Sequence, residues 1–86
     1  MSEYRVTLAR TAEKEIASLQ EQIKKRVIRA IDLLAENPYR QGSKKLKGSK
    51  NAYRFRVNDY RIIYEVEPSN KIVDIAHVRH RREAYD

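Results

Sequence analysis

Apolar positions recur at two different periods along this 86-residue chain, and the changes of period divide it into elements. Tyr4, Val6 and Leu8 alternate with Arg5 and Thr7, the two-residue period of a half-buried strand. From Ala12 the spacing becomes helical. Ala12, Ile16 and Leu19 form one stripe, with Thr11 as the expected cap and Glu13 and Glu15 near the positive end of the helix dipole. Ile23, Val27, Ile31 and Leu34 form a second stripe, predicting a helix from about Glu21 to Glu36 that exposes Lys24, Lys25 and Arg29. A break near Gln20 folds the two back as an αα-hairpin, a single bent helix being the alternative. Asn37-Pro38 ends the second helix, because proline disfavours helical geometry in the residue before it.

Period two returns from Tyr53 to Tyr64, where Asn58-Asp59 suits the turn of a hairpin. If Val57 faces Tyr60, then 56 pairs with 61, 55 with 62, 54 with 63 and 53 with 64. Alternation then sets Tyr53, Phe55, Val57, Tyr60, Ile62 and Tyr64 on one face and Arg54, Arg56 and Arg61 on the other. Three guanidiniums on one sheet face repel one another, so that face suits an anionic partner. Glu67-Pro68-Ser69-Asn70 reads as a further turn, residues 71–78 as the last strand and 79–86 as a basic tail. Residues 40–52 hold both glycines and no acid, and read as a cationic loop anchored by Leu46. The order strand, helix, helix, strand, strand, strand predicts one α+β domain over residues 1–86. It consists of a small antiparallel β-sheet (β-α-α-β-β-β) with a helical hairpin packed on one face.

Charge sharpens that picture. The chain is 36% charged with a net charge of +7, and residues 40–86 carry twelve Lys/Arg against six Asp/Glu, whereas residues 1–39 carry seven against six. An acidic partner surface is implied, and it lies toward the second half. The absence of cysteine excludes a disulfide and a thiolate metal site. Neither an apolar leader nor a run of the roughly 18 residues needed for a membrane span is present, which points to a cytoplasmic protein with no membrane partner.

Two chemistries follow. Between Arg40 and Asn58 stand seven basic residues and no acid, among them Lys44, Lys45, Lys47 and Lys50, as a polyanion-binding segment requires. A solvated lysine loop is the plain alternative. The tail places His77, Arg79, His80, Arg81, Arg82 and Tyr85 within nine residues. RNA cleavage by its own 2′-hydroxyl needs a proton acceptor, a proton donor and cations around the developing phosphorane. Arginine supplies only the last, so Arg54, Arg56, Arg61 and Arg79 are phosphate clamps, while His80 and Tyr85 are the groups able to move a proton. Against this, His77 suits plain strand packing, Tyr85 a frayed end, and Tyr4, Tyr53, Tyr60 and Tyr64 the core. Tyr39 suits either a stacking base or a cap over the second helix. No glycine-rich phosphate loop, zinc-ligand spacing or magnesium carboxylate cluster occurs, so neither metal nor cofactor is expected.

Taken together, Glu36-Asn37-Pro38, Lys45-Leu46-Lys47-Gly48, Tyr53-Arg54-Phe55-Arg56, Tyr60-Arg61-Ile62-Ile63-Tyr64 and Arg81-Arg82-Glu83-Ala84-Tyr85, in that order, resemble the RelE/ParE superfamily of type II toxin-antitoxin toxins. The RelE-like branch implies a ribosome-dependent endoribonuclease that cuts messenger RNA and stops translation. On this resemblance the catalytic set is Arg54, Arg56, Arg61, Arg79, Arg81 and Tyr85. The RNA- or ribosome-binding set is Lys44, Lys45, Lys47, Lys50, His80 and Arg82. Arginine stands at 54 and 56 where RelE toxins carry lysine, which keeps the charge, removes a proton-transfer group and leaves the base open. The resemblance also implies an acidic, RelB-like cognate antitoxin, docking along the helical hairpin, with ribosome and mRNA as the other partners. A ParE-like DNA gyrase inhibitor and a non-catalytic RNA-binding module are the alternatives.

Overall fold

The computed structural model describes residues 3–81. β1 (Arg5–Leu8) leads into α1 (Arg10–Ala17) and α2 (Glu21–Glu36), followed by β2 (Ser43–Lys45), β3 (Ala52–Val57), β4 (Tyr60–Glu67) and β5 (Ile72–His80). The α+β class and the helical hairpin are as the periodicity predicts. The strands form one sheet in the order β1-β5-β4-β3-β2.

The sheet departs from expectation in three details, the first being that β5 runs on to His80 and takes in Arg79 and His80, which the sequence reads as tail. β1 runs parallel to β5, from Arg5 opposite Ile72 to Leu8 opposite Ile75, so the sheet is mixed rather than wholly antiparallel. Residues 43–45, read as loop, form an edge strand antiparallel to β3, with Lys44 opposite Arg54. Too short to show a period, β2 is held by backbone pairing and by the turn in which Leu46 N–H donates to the Ala52 carbonyl at 2.8 Å.

Both helices pack on one sheet face. Ala12, Val27, Ala30, Ile31 and Leu34 meet Ile62, Tyr64, Val66, Val73, Ile75 and Val78, with Ile16, Leu19 and Ile23 at the margin. Thr11 does not cap α1. The helix starts at Arg10 directly from the strand, and Ala9 occupies the cap with its N–H on the Ile75 carbonyl at 2.9 Å. Tyr64 is fully buried and its hydroxyl donates to the Pro38 carbonyl at 2.6 Å, tying the end of α2 to the sheet centre. Its ring stacks on Tyr53, which Tyr39 meets edge-on. Among the described residues no helix is long and apolar enough to cross a membrane.

The hairpin register is the one alternation requires, from Val57 opposite Tyr60 to Tyr53 opposite Tyr64. Of the two turn residues, Asn58 takes positive φ, at 55°.

Candidate nucleic-acid interface

On the face away from the helices, four strands (β2 to β5) stack cations across the sheet through their registers. Arg56 lies opposite Arg61 on the neighbouring strand, and Arg61 lies opposite Arg79 on the next, giving a row of three arginines. A parallel row runs from Lys44 through Arg54 and Ile63 to His77. Cross-strand partners have Cβ atoms only about 4.5–5.5 Å apart, so these charges are forced together by backbone geometry.

A cleft of about 260 Å³ opens between the rows, lined by Gly42, Lys44, Arg54, Arg56 and Arg61. Beside it a smaller depression of about 90 Å³ is lined by Arg56, Asn58, Asp59, Arg61 and Arg81. Arg56 and Arg61 form the wall shared by the two. Arg61 keeps 6% of its exposure, so its charge sits in a partly desolvated setting, where an anion is attracted more strongly than on open surface. Gly42 adopts φ +100°, and a methyl group there would meet Phe55 Cε1 at 3.1 Å. Lys44 on the short β2 is thereby brought against Arg54.

The structure sorts the candidate residues. Arg54, Arg56, Arg61 and Lys44 share one cleft, Arg81 lines the adjoining depression, and Arg79 ends the arginine row. Lys45 lies opposite Tyr53, on the side of the sheet away from Arg54. Lys47 and Lys50 are exposed in the β2–β3 turn and do not line the cleft. His80 lies opposite Tyr60 and meets its ring edge-on at 5.3 Å, on the side that carries Ile62 and Val78. Arg82 and Tyr85 lie outside the described residues.

Sequence reasoning missed Glu15. From α1 its carboxylate accepts the Val78 N–H at 2.8 Å and the Arg79 Nε–H at 3.4 Å, and it lies 3.7 Å from His77 Nδ1. An unpaired acid on the sheet-facing side of an amphipathic helix was its one signal. Two tyrosines carry perturbed hydroxyls. Burial, then the neighbouring Tyr4 and Tyr53 hydroxyls, raises the pKa of Tyr39, and burial pushes Tyr64 up to about 12. Tyr64 packs in the core, so its shift describes packing rather than chemistry.

The same architecture recurs among solved toxin–antitoxin structures. It superposes on a chain of the archaeal RelE–RelB complex from Pyrococcus horikoshii with a TM-score of 0.83 and 30% identity, covering 98% of this chain and 100% of that one. The Methanococcus jannaschii RelB–RelE antitoxin–toxin complex gives a TM-score of 0.76 and 30% identity over 93% of this chain and 95% of that one. Isolated Escherichia coli RelE toxin shares the fold, with a TM-score of 0.80 at 22% identity over 90% of this chain and 83% of that one. Curated protein sequences yield no match. The pattern of the family described as the ParE toxin of type II toxin-antitoxin system, parDE, matches residues 6–85, and the chain belongs to that family, within the RelE/ParE superfamily.

Proposed function

We propose that the protein stops translation as a metal-independent endoribonuclease that cuts messenger RNA on the ribosome. The carrying observation is the cation-lined cleft, in which Lys44, Arg54, Arg56 and Arg61 converge. Permanently charged guanidiniums at fixed spacing bind phosphate bidentately and stabilise charge that builds on a phosphorane. In the reaction the 2′-hydroxyl of the message attacks the adjacent phosphorus and the P–O5′ bond breaks. A 2′,3′-cyclic phosphate and a free 5′-hydroxyl result. The 2′-hydroxyl proton goes to a base and the departing 5′-oxygen receives one. Arg54, Arg56, Arg61, Arg79 and Arg81 hold the phosphate, and Tyr85 assists proton transfer or stacks beside the scissile bond. Lys47, Lys50 and Arg82 add long-range attraction to the ribosome.

The test is addition of purified protein to translating ribosomes, followed by mapping of message ends. New 5′-hydroxyl ends that vanish with Arg61→Ala support the reading, and intact message at stoichiometric protein refutes it.

The matched family is described as ParE toxins, and this favours a second reading in which the protein inhibits DNA gyrase. Loss of supercoiling by gyrase, with message intact, would establish it.

In either reading the partner is an acidic, RelB-like antitoxin, as the RelE–RelB complexes suggest. We place part of its docking on the outer face of α2. There Lys25, Arg26, Ile28, Arg29 and Asp32 line a depression of about 400 Å³, and Ile28 is 46% exposed. One apolar contact ringed by three cations suits an amphipathic acidic segment that folds as it binds. Ile28→Asp should weaken antitoxin binding without altering toxicity, and unchanged affinity would remove α2 from the interface.

A further inference from the structure

The last strand outruns its parallel neighbour. β1 pairs with β5 only as far as Leu8 opposite Ile75, and the Ala9 N–H closes the ladder on the Ile75 carbonyl. Beyond that point the outer edge of β5 faces α1 instead of a strand. The Val78 N–H that points to this edge is accepted by Oε1 of Glu15 at 2.8 Å. One carboxylate side chain thus replaces the missing ladder partner.

Its second oxygen does something different. Glu15 Oε2 accepts the Nε–H of Arg79 at 3.4 Å, with the Arg79 side chain 37% exposed and that of Glu15 24% exposed. Arg79 needs such an anchor, because its cross-strand partner Arg61 carries the same charge and Arg61 in turn faces Arg56. Like charges directly opposed across a sheet push each other's heads away. A carboxylate at the outer edge offsets that push and fixes the Arg79 side chain from behind. The bond uses Nε, and a guanidinium carries two further NH₂ groups that can serve an anion.

We propose that Glu15 is a positioning residue for Arg79: it orients the guanidinium at the end of the arginine row and keeps it ready for substrate phosphate. This rests on the reading of the row as a phosphate site in RNA cleavage. Glu15 does not touch the reacting atoms. His77, whose Nδ1 lies 3.7 Å from Glu15 Oε1, shares the same carboxylate but does not share the arginine row.

Glu15→Gln separates the two tasks, because the amide oxygen still accepts the Val78 N–H while the negative charge is gone. Two measurements decide. In the folded protein the Arg79 Nε–H, followed by ¹H–¹⁵N NMR, should exchange with water about tenfold faster in Glu15→Gln than in the wild type, with the Val78 amide little changed. Glu15→Asp, which keeps the charge one methylene short, should be intermediate and serves if the glutamine variant does not fold. On programmed ribosomes Glu15→Gln should lower kcat about tenfold at unchanged KM, as loss of orientation does. Placed on Arg79→Ala it should cost nothing more, since two residues acting through one contact are not additive. Unchanged exchange, an undiminished kcat, or the same fractional loss with and without Arg79 overturns the inference. A wild type that leaves message intact overturns the nuclease reading, and the exchange measurement then decides the positioning on its own.

Discussion

Arg56→Gln should make the protein more stable and less able to hold RNA, both for one reason. Arg56 is exposed and its register partner Arg61 is nearly buried, so truncating the former opens no cavity and relieves one cation–cation contact. Two unit charges about 6 Å apart repel by roughly 0.7 kcal/mol in water, within the range of about 0.2–1 kcal/mol for directly opposed like charges on a sheet. Shielding of Arg61 from solvent moves the figure toward the upper end. For a domain of this size about 0.7 kcal/mol corresponds to a rise in Tm of roughly 3–6 °C. The gain belongs to low ionic strength and should fade in 1 M salt, where the screening length shrinks to about 3 Å. Single-stranded RNA binding by the same variant should weaken, with the slope of log affinity against log salt falling by about 0.7 for one lost phosphate contact. Thermal melts at two salt concentrations and fluorescence anisotropy with a labelled oligoribonucleotide measure both. A variant that melts below the wild type at low salt, or a gain that persists in 1 M salt, would show that crowded charge does not strain this face.

Three further outcomes follow from the core and the turns. The Tyr64 pKa of about 12 lies above the roughly 10 of an unfolded tyrosine, so its contribution is fully present below pH 10 and is lost as the unfolded chain ionises first, between pH 10 and 12, to a limit of about 2–3 kcal/mol. Tyr64→Phe should cost about 1 kcal/mol at neutral pH through the lost bond to Pro38 and should flatten that alkaline decline in urea melts, whereas parallel pH curves would refute the assignment. Gly42→Ala meets both a positive φ and Phe55, and should cost about 1–3 kcal/mol. Gly48→Ala, at φ +79° with open space around it, should cost less, and equal losses would remove Phe55 from the account. Leu34→Ala, fully buried between α2 and the sheet, should cost about 2–5 kcal/mol by denaturant titration, and a loss under 1 kcal/mol would show that the helix face is not held by packing.

What could be read from residues alone was whatever a period records. The stripe of Val27, Ile31 and Leu34 and the alternation from Tyr53 to Tyr64 gave α2 and the β3–β4 register, because burial on one face dictates the spacing of apolar residues. β2 was not legible. Three residues cannot show an alternation, and Ser43-Lys44-Lys45 has no apolar member to mark a face. The direction of β1 was equally hidden, since its apolar positions read the same whether it joins the sheet parallel or antiparallel. Alternation alone puts Arg54, Arg56 and Arg61 on one face. Lys45 and His80 were grouped with them by charge and proximity in sequence, and the pleat sends them to the other side.

Arg79 reaches the arginine row only because β5 breaks its own alternation. Val73 and Ile75 are both buried on the helix face, and strict period two would continue that face through His77 and Arg79. Instead the register slips between Ile63 opposite His77 and Tyr64 opposite Ile75, so Ala76 is the extra residue of a bulge. From there Val78 returns to the core and Arg79 turns to the outer face beside Arg61. A bulge commonly re-aims side chains in this way near functional surfaces. Its signature was present in the lengthened spacing from Ile75 to Val78. β1 has already ended, with Leu8 opposite Ile75, so the Val78 N–H on that edge is left for Glu15. One inserted residue therefore delivers the third arginine to the outer face, beside the open edge on which a helix carboxylate holds it.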